Sequence, residues 1–261
     1  GKDGVSGGFQ MTTGSSTAGD SGSLSFLSGT ARNGKSGFIR IVIGSGNTGT
    51  GGDVSLASGE TTDTASGGMF SLSTGASTKT SSGNLYFATA NAGTAGVSGS
   101  IQLNTGTASA GTSGSMTFNT GHATGGKGGD IVVSVGAGNT GVGGDVSMTA
   151  GESNSESGGS MTLRTGYSTK SSSGNLFIST PNAGASGVSG TVQMQTGSAS
   201  AGTSGSFMMT TGDATSGKGG DITINIGTGN AGDGGDYSLV AGTTTGANGD
   251  GGSITVTAGH S

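Results

Sequence analysis

Few groups in this protein could do chemistry, and the best placed are carboxylates. Asp130 and Asp145 lie in consecutive short units, and Asp221 and Asp236 repeat the arrangement further on. Each follows a Gly-Gly pair. If such units stack, each pair of carboxylates sits one layer apart and repels. A hard cation such as Ca²⁺, taking about six to eight oxygens, would relieve that. Lys127 and Lys218, three residues ahead of Asp130 and Asp221, offer a second way to neutralise the charge. The GGxGxDxUx pattern of calcium-binding β-rolls is missing. Ca²⁺ at the four aspartates is therefore the one cofactor candidate, and the expectation is that the protein holds none.

Nucleophilic catalysis lacks its parts. The chain has no Cys and only two histidines, His122 and His260. His122 occupies the turn position that Asp213 takes in a later unit, which reads as a solvated turn residue rather than a base. No Ser/His/Asp grouping is present. A carbohydrate-active β-helix would need a carboxylate cluster that breaks the repeat, and none occurs. The expectation is a protein without catalysis.

Two further sets of residues point to surfaces. Thr17, Thr62, Thr78, Ser109, Thr124, Thr169, Ser200, Thr215 and Thr245 recur at one position per unit, interspersed with Arg32, Asn47, Asn139, Asn154 and Asn230. Stacked, they would make a flat row of small hydroxyls and amides, the kind of face that ice-binding solenoids present. The companion row is mixed, with Ser15, Thr30, Glu60, His122, Tyr167 and Asp213, which spoils a regular lattice match. Phe38, Tyr86 and Phe177 are the outward aromatics. Tyr86 and Phe177 are equivalents one long repeat apart, and exposed aromatics at a repeated position suggest lateral packing against another copy or partner.

All of these groups hang on a repeat. Units of about 15 residues run from end to end. Their cores are FQMTT, LSFLS, IRIVI, VSLAS, FSLST and LYFAT, then IQLNT, MTFNT, IVVSV, VSMTA, MTLRT and LFIST, then VQMQT, FMMTT, ITINI, YSLVA and ITVTA. The six types recur after about 91 residues, as Lys35, Lys127 and Lys218 show. A one-residue length difference falls in a turn, between GETTDTASGG at Gly59 and GESNSESGG at Gly151. Within each core the first, third and fifth residues are apolar or small, and the intervening ones are mostly polar. That alternation predicts strands. Ala108, Ala123, Ala199 and Ala214 would point inward from a second, narrower wall. The paired Gly or Ser-Gly before each core would turn the corners through positive φ.

The expected fold is all-β: a β-solenoid of about 15-residue units nested in an about 91-residue six-unit repeat, one continuous array over residues 1–261. No single unit could bury its apolar row alone. Like-on-like piling would cover it and pair every backbone group about 4.8 Å above and below. Neither terminus shows a polar cap, so end-to-end growth, or a longer array of which this is a window, is expected.

Composition narrows the partners. Of 261 residues, 62 are Gly, and only 9% are charged, so no conventional thick core is available. A net charge of −5 gives no basic footprint for nucleic acid. No apolar run is long enough to span a bilayer, so membrane insertion is not expected. The GGDVSLASG, SGSIQLNTG and GSASAGTSG units resemble the Gly/Ser/Thr-rich β-solenoid repeats of extracellular surface proteins. The resemblance implies a structural or adhesive role outside the cell or at its surface. The expected activity is self-association into a filament, stalk or surface fibre, with other surface proteins or glycans as further partners; the alternative is ice binding through the Ser/Thr/Asn row.

Overall fold

The period of the sequence reappears as sharp changes in backbone direction. The computed structural model describes residues 6–259; His260 lies outside them. Bends begin at residues 17, 32, 47, 62, 78, 94, 109, 124, 139, 154, 169, 185, 200, 215, 230 and 246, every 15 or 16 residues. The segments between them are not strands. Among the described residues there is neither helix nor β-strand, and few residues more than a dozen positions apart approach one another. The all-β expectation is thus overturned, and the β-solenoid with it, because no core is paired with the next.

The alternating rows are accordingly open to solvent. Ile101 is 56% and Leu103 64% exposed, and no described residue is fully buried. Ala108, Ala199 and Ala214, expected to face inward, are exposed, and Ala123 is half-buried. The physical reason lies in what a strand requires. A strand is stabilised by a neighbour that takes its backbone bonds and covers its side chains. Here most cores offer two large apolar side chains and one small one. Ordering backbone costs roughly 1–2 kcal/mol per residue, and glycine loses the most freedom of all. Period-2 patterning over five residues does not outweigh that cost when nothing brings the next core alongside.

What the glycines do instead is close loops. The fifth residue of each core touches a glycine at the entry to the next core. A Cβ built on Gly22 would meet the Cβ of Thr13 at 3.4 Å, one on Gly114 the Cβ of Thr105 at 3.7 Å, and one on Gly205 the Cβ of Thr196 at 3.5 Å. The same approach joins Gly37 to Ser28, Gly83 to Thr74, Gly129 to Thr120 and Gly174 to Thr165. Each unit is therefore a core followed by an excursion that begins and ends at one place, an Ω-like loop.

The positions of positive φ differ from expectation. They are Gly19, Gly49, Gly96, Gly111 and Gly202, which close the bends at the far side of the loops. Gly19, Gly111 and Gly202 are equivalents in the long repeat, with φ of 112°, 103° and 116°. The glycine that follows a loop is needed for close approach, and in these five bends the closing glycine for handedness.

The long repeat also sorts the loops by how their bases are held. After IRIVI, IVVSV and ITINI, the cores whose fifth residue is Ile or Val, the base is tightest. A Cβ on Gly52 would meet Ile43 at 2.7 Å, one on Gly144 would meet Val135 at 2.5 Å, and one on Gly235 would meet Ile226 at 2.9 Å. In the next two unit types the backbone itself closes the base. The amides of Gly68, Gly159 and Gly252 donate to the carbonyls of Gly59, Gly151 and Gly242 at 2.9, 2.8 and 2.8 Å. Those of Gly83 and Gly174 donate to Gly75 and Gly166 at 3.0 and 2.9 Å. The protein divides into two units, Gly1–Val132 and Val133–Ser261, and each contains all of these loop kinds.

Candidate functional site

Hydroxyls set the loops that close through the backbone. Ser77 Oγ accepts from the amides of Thr80 at 2.9 Å and Lys79 at 3.3 Å. Ser153 Oγ accepts from Glu156 at 2.9 Å and Ser155 at 3.4 Å, and Ser168 Oγ from Ser171 at 2.9 Å and Lys170 at 3.2 Å. Thr61 and Thr244 accept from Asp63 and Gly246, both at 3.2 Å. The five loops held in this way are the same five whose bases carry a glycine-to-glycine backbone bond. In four of them the bend ends on Ala65, Thr80, Glu156 or Ser171 rather than on glycine. A hydroxyl that captures two successive amides fixes a turn without left-handed backbone. This anchor was visible in the sequence as Ser or Thr two residues after the core's closing glycine, where other units carry Ala or Gly, although Ser16 has the same placement without the bond.

The charged groups pair along the sequence. Lys127 Nζ donates to Asp130 Oδ2 at 2.7 Å, and Lys218 Nζ to Asp221 Oδ2 at 2.6 Å. Both pairs are well exposed. Phe38 stands where these units carry Asp, so Lys35 has no carboxylate at that position. Asp145 and Asp236 take part in no ion pair among the described residues, and no three acidic or histidine side chains converge there.

The hydroxyl row falls on the bends. Thr17, Thr62, Thr78, Ser109, Thr124, Thr169, Ser200 and Thr215 each open one, and Thr245 immediately precedes another. They are distributed one to a loop, and among the described residues no sheet holds them in a row. The candidate aromatics are wide open: Phe38 and Tyr86 are each 85% exposed and Phe177 is 84% exposed.

Among the described residues there is no cavity and no helix long and apolar enough to cross a membrane. The chemistry on offer is that of a surface: regularly spaced apolar side chains beside small hydroxyls. Comparison with family models, with curated proteins and with solved structures yields no match for this protein.

Proposed function

We propose that this is a structural protein of the cell surface or extracellular space, without catalysis, that works by associating with further copies of itself into fibres. One observation carries the reading: the apolar side chains of every core are exposed, at a fixed interval, throughout the described residues. Exposed apolar patches of more than a few hundred square ångströms mark interaction surfaces. Each buried methylene contributes about 0.8 kcal/mol, so identical rows on many copies supply a driving force that one copy does not use by itself. Phe38, Tyr86 and Phe177 contribute flat, open side chains to such contacts. The resemblance to Gly/Ser/Thr-rich surface repeats supports the same role.

Sedimentation and light scattering over a range of concentrations, followed by electron microscopy, test the proposal. Growth of large assemblies with concentration supports it. Dispersed monomers at high concentration remove it. Replacing Phe38, Tyr86 and Phe177 together by Ser should weaken assembly several-fold.

A further inference from the structure

The sequence contains two Asn-Gly pairs, Asn33–Gly34 and Asn248–Gly249, and both asparagines lie in bends. We propose that Asn33 is a site of self-modification, converting to aspartate and isoaspartate through its own backbone, while Asn248 is held back by its surroundings.

The reaction needs no partner but water. The backbone nitrogen of the following glycine, on losing its proton, attacks the amide carbon of the asparagine side group. A new C–N bond forms there, the bond from that carbon to the terminal amide nitrogen breaks, and ammonia leaves. The five-membered imide that results is opened by water at either carbonyl. One product is Asp; the other is isoaspartate, in which the side-group methylene has entered the backbone. Glycine favours the attack because no Cβ obstructs the ring.

Three observations separate the two pairs. The first is the nucleophile. Gly249 N donates to Gly246 O at 3.4 Å, whereas no hydrogen bond engages Gly34 N among the described residues. A donated proton must be released before attack, which raises the cost. The second is space. A Cβ on Gly249 would meet Thr244 Oγ1 at 3.0 Å, while nothing lies within 4 Å of one on Gly34. The third is charge. Asn33 is bracketed by Arg32 and Lys35, neither of them ion-paired among the described residues, and cations favour the anionic nitrogen and the anionic intermediate. Asn248 is followed two residues later by Asp250, whose carboxylate opposes both.

The product has a local consequence. Arg32 and Lys35 flank the bend, and a new carboxylate at position 33 gives these two cations a partner. Asparagines at other bends, such as Asn47, Asn139 and Asn230, precede Thr or Ala and are the internal controls.

The test incubates the full-length protein in mildly alkaline buffer and follows each asparagine by peptide mass spectrometry, which reads deamidation as a gain of about one mass unit. The expected result is conversion at Asn33 several-fold faster than at Asn248, with isoaspartate among the products. Arg32→Gln with Lys35→Gln should slow Asn33, and Thr244→Ala with Asp250→Ser should speed Asn248. Equal rates at the two asparagines, a faster rate at Asn248, or an unchanged Asn33 overturns the proposal.

Discussion

The Cγ1 atom of Val135 lies where a side chain on Gly144 would begin, 2.5 Å from an ideal Cβ. The two residues are nine positions apart and form the base of one loop. Gly144→Ala should therefore open this base. Overpacking costs about 1–3 kcal/mol, more than the roughly 0.4–1 kcal/mol that replacing a glycine gains from the unfolded state. Contacts between the methyl protons of residue 135 and residue 144, read by nuclear Overhauser effects, should vanish in Gly144→Ala and return, from the alanine methyl, in Val135→Ala/Gly144→Ala. Gly143→Ala, with open space around it, should leave them intact.

Ser153 holds the next loop by taking the amides of Ser155 and Glu156. Ser153→Ala removes an acceptor worth about 1 kcal/mol. Hydrogen exchange at Glu156 should accelerate several-fold. Exchange at Gly159, whose amide closes the base onto Gly151, should accelerate with it. A change at Glu156 alone would show that bend and base are independent.

Gly111 has φ of 103°, and Gly106 has no positive φ and open surroundings. An alanine at 111 meets left-handed strain of roughly 1–2 kcal/mol, so amide chemical shifts should change through the bend at residues 109–111. Gly106→Ala should perturb only its neighbours.

The Lys127–Asp130 pair is open to solvent on both sides. Such pairs contribute about 0–1 kcal/mol. Asp130→Asn should move the Lys127 side-group resonances and leave the rest of the amide spectrum unchanged. Added salt should reproduce the same shift by screening.

The period was legible from the residues themselves, because corner glycines and apolar cores repeat in register, and the bends follow it closely: Thr17, Thr62 and Thr124 each open one. The Lys127 and Asp130 spacing likewise put a pair within reach. The fold did not follow. Alternation in ITINI or MTFNT states which side chains share a face, but only contacts between distant residues decide whether a strand has a neighbour. Those are few, so Ile222 and Ile224 remain exposed where a covered wall was expected. The glycine roles were also interchanged. Composition shows where glycine occurs, whereas the difference between Gly144, required by a touching methyl, and Gly111, required by handedness, is a matter of three-dimensional approach. The hydroxyl anchors were missed for a related reason: in a protein this rich in Ser and Thr, Ser77, Ser153 and Ser168 differ from their neighbours only in position.

The excursions between touching residues vary in length: nine residues from Thr13 to Gly22, ten from Ser58 to Gly68, eleven from Ala241 to Gly252. Since every excursion returns to its starting point, an added or deleted residue enlarges or trims one loop and does not displace the core that follows. Replication slippage in glycine- and serine-rich coding sequence would thus be buffered at the protein level. Single loops of this protein could lengthen or shorten while its apolar cores keep the same order.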